Sequence, residues 1–227
     1  MTHLIASRSL VTVIAIGAVV LGAPALLAKE PPKEWDGLVR VEKKNLDHVY
    51  ILPDATLAGY KRVRLDPTQV SFDKNWKPND REKSLSRRLS TDDIEKIRNN
   101  VATEFRKVFS EVLEEGGYKL VDEDGEDVLR VTPGIANLYV TAPDKMEPGR
   151  NRTYVASAGH MTLVVELRDS ATGQLLGRAV DHVQGRETGY MELATSVSNA
   201  GEAREHFKKW AYILRKGLED ANARPAT

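Results

Sequence analysis

The sequence predicts an α+β fold in which two helices pack on one face of a mixed four- to five-stranded sheet containing a long hairpin. Three observations lead there. Residues 154–184 read as the hairpin: Val155, Met161, Leu163, Val165 and Leu167 share one parity and Thr162, Glu166 and Arg168 the other, as in a strand with one dry face and one wet one. Its turn, 169–174, holds Asp169, which can bond to its own following backbone, and Gly173, which takes positive φ without steric cost. The other two observations are amphipathic patterns over 90–115 and 199–220, each with an apolar stripe that needs a sheet to cover.

Taken in order, the chain opens with a segment of export character. Arg8 precedes an apolar run over 10–21, small residues lead to Ala28, and the first acid is Glu30. This pattern predicts a signal peptide over 1–28, cut after Ala25 or Ala28, and a periplasmic location. The rival reading is an uncleaved inner-membrane anchor, because 10–28 is about as long as the ~17 to 25 apolar residues that span a bilayer.

Residues 29–59 read as a proline-containing linker followed by an extended segment, whose Trp35, Leu38, Val39, Val41, Val49, Tyr50 and Ile51 show little period; a strap across the core is expected. A single domain is expected over 60–220. It begins with two strand pieces within 60–72 around Asp66-Pro67, where Pro67 cannot donate to a ladder and belongs at a bulge or edge. A polar loop, 73–88, leads to the first helix. Ser90 is its N-cap, Asp93 stands three residues on, Leu89 and Ile94 have staple spacing, and Asp92, Asp93 and Glu95 suit the positive end of the dipole. Ile94, Ile97, Val101, Phe105, Val108 and Val112 form the stripe, and Gly116-Gly117 ends it.

A short strand is expected over 118–121, then a longer one over 127–140 with a bulge at Pro133-Gly134. After the hairpin, Asn199 and Glu202 suggest a capping box for the second helix, whose stripe is Ala203, Phe207, Trp210, Ala211, Leu214 and Leu218. Residues 221–227 read as a frayed tail.

Composition excludes several functions. With 33 basic and 33 acidic residues the chain carries no net charge, so it has no electrostatic footprint for nucleic acid. Without cysteine it has no disulfide, no thiol nucleophile, no thiolate metal site and no lipid-modified cysteine. At 227 residues it can bury enough surface to fold without such staples.

The search for chemistry yields no catalytic, cofactor or metal site. Ser71 and Lys74 have the Ser-x-x-Lys spacing, but the serine ends a strand and the companion motifs are missing. His160 and His182 lie on opposite arms of the hairpin, where a cross-strand pair can bind a metal with a carboxylate such as Asp181; the spacing of a zinc hydrolase is absent. Acids at Glu111, Glu114, Glu115 and within 122–127 read as a solvated helix end and turn. What is left is a surface. The loop 141–153 is the longest insertion between core strands, with Tyr139 and Tyr154 at its roots and Lys145, Arg150 and Arg152 between them, residue types suited to gripping a protein partner.

Several stretches, in this order, resemble a bacterial envelope family known as domain of unknown function 3313: Trp35-Asp36-Gly37-Leu38, Asp47-His48-Val49-Tyr50, Gly59-Tyr60-Lys61 leading to Leu65-Asp66-Pro67, Gly116-Gly117-Tyr118, the turn at 169–173, and 207–214. The resemblance implies an exported protein, similar to small α/β envelope modules that assist secretion, wall synthesis or pilus assembly by binding other proteins. Members often carry a lipobox cysteine, and this chain has none. The function expected is therefore a non-enzymatic module of the periplasm that binds an envelope protein. Two alternatives stand beside it: an envelope hydrolase working through acidic residues, and a small-ligand or lipid carrier, which requires an apolar cavity between sheet and helices.

Overall fold

β7 (Val128–Val140) and β8 (Ala158–Asp169) form the middle of the fold, paired antiparallel along most of their length. The computed structural model describes residues 31–80, 88–140, 158–184 and 196–223. The expected signal peptide, the start of the first hairpin arm and the end of the tail lie outside the described residues. Before β7 come β1 (Glu34–Trp35), β2 (Leu38–Val41), β3 (His48–Ile51), β4 (Arg62–Leu65), β5 (Gln69–Phe72), α1 (Thr91–Glu115) and β6 (Lys119–Leu120). After β8 come β9 (Leu175–Gln184) and α2 (Ser196–Asn222).

Among the described residues the strands make one nine-stranded sheet in the order β1-β2-β3-β9-β8-β7-β4-β6, with β5 also paired to β7. β4 and β5 run parallel to β7, and β6 runs parallel to β4. The fold is α+β, but the expectation of four to five strands is overturned. Residues expected to strap the core are instead β1, β2 and β3, which extend the sheet outward from β9.

The physical reason for that error lies in strand length and two-sided cover. Four-residue strands are too short to display a period, and in β3 Val49 and Tyr50, on opposite faces, are both at least partly covered, so the parities carry no contrast. Tyr50 packs edge-on to Trp35 at 5.6 Å on one face, while Val49 lies beside α2 residues on the other. One signal was present: β1 and β2 are joined by Asp36-Gly37, both at positive φ, in the two-residue turn that an Asp-Gly pair favours.

The hairpin forms as expected. Asp169 accepts from the Thr172 backbone N–H and hydroxyl at 2.7 Å each, and Gly173 takes φ 74°. The bulge in β7 is displaced from its expected place. Pairing with β8 runs unbroken through Pro133 and Gly134 and shifts between Ala136 and Tyr139, where Asn137 has φ 54°. Pro133 faces the same side as Val131, whose carbonyl accepts from Asp66; its missing N–H falls at the break between β4 and β5, where no ladder bond is asked of it.

α1 begins as the sequence predicts, with the reciprocal Ser90 and Asp93 capping box. Its stripe is buried from Ile97 to Val112, Ile94 being half-buried, and Phe109 and Leu113 widen it. Phe105 stacks on Phe109 at 4.0 Å and meets Phe207 of α2 edge-on at 5.2 Å. α2 starts at Ser196, three residues before the expected cap at Asn199. The two helices pack against each other and against the sheet face that carries Leu129, Val131 and Ile135 of β7 and Met161 and Leu163 of β8.

Candidate functional site

The helix-facing side of the sheet is not filled evenly. Over β7 the helices cover the core, but over β8, β9 and β3 the same face, the second half of α2 and the segment 43–46 leave between them a cavity of about 290 Å³, which Phe109 of α1 also lines. Its floor is Leu163, Val165 and Leu167 of β8, Ala179 of β9 and Val49 of β3. Trp210, Ile213, Leu214 and Gly217 of α2 form the opposite wall, with Leu46 and Leu57 at one side. Alternation dictates the floor, because every second residue of β8 must face the helices.

Small residues make the void. Ala179 is the β9 residue in the lining and contributes only a methyl group. Gly217 lies in the interior of α2, where glycine is less stable than alanine by about 1 kcal/mol, and a Cβ added there would meet nothing within 4 Å. The space is therefore not forced by crowding.

The rim is polar and fixed. Asp181 is 3% exposed and lies on the cavity side of β9, in register with Leu163. It accepts from Trp210 Nε1 at 2.6 Å, from Lys209 Nζ at 3.4 Å and from the Asp47 backbone N–H at 3.1 Å. The Asp47 carboxylate in turn accepts from the His182 backbone N–H at 2.8 Å. These bonds pin one end of 43–46 to β9 and α2. Lys43, Lys44, Asn45, Lys216 and Asp220 border the cavity. Beyond it the same sheet face runs out to Val39 and Ile51, paired across β2 and β3 and 39% and 43% exposed.

The opposite face of the sheet is a polar carpet. Glu166 accepts from Arg178 at 2.6 Å and from Arg168 at 2.8 Å, and Arg178 lies 4.0 Å over the Trp35 ring. Burial pushes the Glu166 carboxyl up, but the hydrogen bonds from Arg178 and Arg168 outweigh it and hold it below the ordinary carboxylate range. At the turn of 122–127, Arg62 binds Asp127 and Arg64 binds Asp124, each at 2.5 Å.

Of the residues singled out from sequence, Tyr139 stacks on His160 at 5.1 Å on this polar face. Lys145, Arg150, Arg152 and Tyr154 lie outside the described residues. His160 and His182 have rings 5.9 Å apart, with His160 Nε2 3.5 Å from Asp73 and His182 Nδ1 3.2 Å from the Thr162 hydroxyl. Asp181 is on the other side of the sheet and cannot join them. Among the described residues no group of three or more His, Cys, Asp or Glu is placed to hold a metal. Sequence reasoning missed the cavity; its one local trace was Gly217, a glycine inside a helical pattern on the apolar side.

A family model described as "Protein of unknown function (DUF3313)" matches residues 28–214. Similar solved structures include a PelC dodecamer from Paraburkholderia phytofirmans, 9% identical over 71% of this chain and 96% of that one, with a TM-score of 0.36. A minor lipoprotein from Acinetobacter baumannii is 15% identical over 71% and 94%, with a TM-score of 0.28. A DUF4136 family protein from Bacteroides thetaiotaomicron is 13% identical over 81% and 98%, with a TM-score of 0.35. No curated protein matches the chain. Among the described residues no helix is long and apolar enough to cross a membrane.

Proposed function

The chain belongs to the DUF3313 family, and from that premise we propose that it is an exported, non-enzymatic binding module of the bacterial envelope, which receives an apolar group in the cavity between the sheet and α2. The observation that carries this reading is the cavity itself. Its walls are aliphatic and aromatic, its polar groups stand at the rim, and it is bounded by a helix residue that has no side chain. Concave, mostly apolar sites with a few convergent polar groups are the usual form of a small-molecule site. An apolar group entering it would leave water at a gain of about 25 cal/mol per Å² of buried surface.

A protein partner held by the loop between Tyr139 and Tyr154 is the leading expectation from sequence, with a small-ligand or lipid carrier as one of its alternatives. The cavity has the more direct support, because its walls are described side chain by side chain. The export assignment rests on the residues before Lys29 and on the family resemblance; the non-enzymatic assignment rests on the absence of any catalytic motif in the sequence.

Gly217→Leu tests the reading without endangering the fold. It replaces a helix-interior glycine, with an expected gain of about 0.5–1 kcal/mol, and projects a side chain into open space. With the purified full-length chain, N-phenyl-1-naphthylamine, a neutral apolar fluorophore, is expected to brighten saturably. Gly217→Leu is expected to abolish that signal while melting no lower than the wild type. Absence of saturable binding by the wild type, or undiminished binding by the variant, would overturn the proposal.

A further inference from the structure

The charges around the cavity mouth are unequal in what they leave free, and this selects a ligand class. Resting on the cavity reading above, we infer that the occupant is a monomeric single-chain anionic amphiphile of the fatty acid type, with its chain between β8 and α2 and its head at Lys43 and Lys44.

Lys216 and Asp220, one turn apart on α2, pair at 3.1 Å and offset each other. Lys43 and Lys44 are both exposed, and neither has a carboxylate partner among the described residues. The buried acid nearest this part of the rim, Asp181, is ion-paired with Lys209 and hydrogen-bonded by Trp210 and the Asp47 backbone, so its charge is offset by that lysine. Glu42 is exposed and does not line the cavity. Asp47, the acid at the end of this segment, does not line the cavity and turns its carboxylate to the His182 backbone N–H, so among the lining charges Lys43 and Lys44 are the two without an opposite partner.

Their position is built in. The bonds from Asp47 to Asp181 and His182 hold the end of 43–46, and Leu46 turns into the cavity wall. That leaves the two lysines on the solvent side of an apolar entrance. A carboxylate can stay hydrated beside them while its chain is buried, which avoids the large penalty of taking a charge inside.

Size narrows the class further. A volume of about 290 Å³ is at the bottom of the ~300–1,000 Å³ range of small-molecule sites. It suits one chain and excludes a ligand that must bury two or more. Val39 and Ile51 continue the apolar face past the mouth, so a chain longer than the cavity has somewhere to lie.

The experiment is displacement of bound N-phenyl-1-naphthylamine from the full-length chain by three probes of equal chain length, each below its micelle concentration at low salt: dodecanoate, dodecanol and dodecyltrimethylammonium. Dodecanoate is expected to displace at about tenfold lower concentration than the cationic probe, with the alcohol between them. Lys43→Glu combined with Lys44→Glu is expected to invert that order, with each probe's displacement referred to the fluorophore's own Kd in the variant, and Gly217→Leu is expected to stop all displacement. If the fluorophore binds but the three probes displace alike, the head-group inference fails and the cavity reading stands. If the fluorophore does not bind, both fail. Sedimentation with phosphatidylglycerol vesicles that needs the two lysines yet survives Gly217→Leu would assign the lysines to a membrane surface and overturn the inference.

Discussion

Arg178 on β9 is held almost out of water, 7% exposed, between the Trp35 ring and two carboxylates, Glu166 at 2.6 Å and Asp36 at 2.9 Å. A guanidinium so placed depends on its partners, since removing one leaves a desolvated charge unmatched. Glu166→Gln is expected to destabilise the neutral protein by about 3 kcal/mol, the low end for a broken buried pair, because Asp36 still reaches Arg178. The sign of the pH effect follows from the depressed folded pKa of Glu166. Its contribution is present above the ordinary glutamate pKa of about 4.3 and is lost as pH falls through the lower folded value. Melting temperature followed from pH 6 down to pH 2 is expected to drop less steeply in Glu166→Gln than in the wild type. Parallel curves would mean that Glu166 does not couple folding to protons. Parity placed Glu166 and Arg168 on the face away from the helices; the same rule sets Asp181, next to His182 in the strand, on the opposite face, which the expectation of a shared metal set with His160 and His182 overlooked. What parity could not supply was Trp35, more than a hundred residues away in sequence, which turns a wet position into a covered one.

At the scale of elements, legibility follows length. α1 was readable from end to end because its capping box and its 3.6-residue stripe are written within 25 residues. In the hairpin the turn chemistry and the alternation of β8 are equally local, whereas β9, apolar at its start and mixed after, did not declare its register. β2 and β3, at four residues each, hold about two side chains per face, too few to establish a period, whereas β4, equally short, was legible beside the Asp66-Pro67 break. α2 was found by its stripe but lost its first turn, since the helix starts before the residues that looked like its cap. The stripe of α1 gives the sharpest stability test. Val108 is fully buried against α2 and the sheet, and Val108→Asp puts a charge there without a partner. The variant is expected to lose more than about 4 kcal/mol and to be recovered largely unfolded by circular dichroism. Cooperative melting at the wild-type temperature would show that this face of α1 is not the packed one.

For the whole molecule, the sheet is wider than the layer of helices that covers it, and this has consequences for both legibility and function. The parallel pairing of β4 and β5 with β7, and the antiparallel pairing of β3 with β9, join residues about 60 to 130 apart in sequence, so neither the strand order nor the uncovered end of the sheet is written in any local pattern. The cavity is a product of that mismatch, arising where α2 ends its cover and β3 begins. Stability should follow the same division. β7 and β8 are flanked by strands and capped by both helices, whereas β2 and β3 carry exposed Val39 and Ile51 and are held on one edge by β9. Units with few buried apolar contacts open at lower free energy than the global transition. Hydrogen exchange followed by mass spectrometry is therefore expected to find amides of β2 and β3 exchanging well before those of β7 and β8. Dodecanoate should then raise protection selectively in β3 and 43–46, because Val49 and Leu46 belong to the cavity wall and a ligand bound only to the folded site stabilises what forms it. Uniform exchange across the sheet would contradict the division. Protection gained on the Glu166 face and not at β3 would place the ligand on the other side of the sheet.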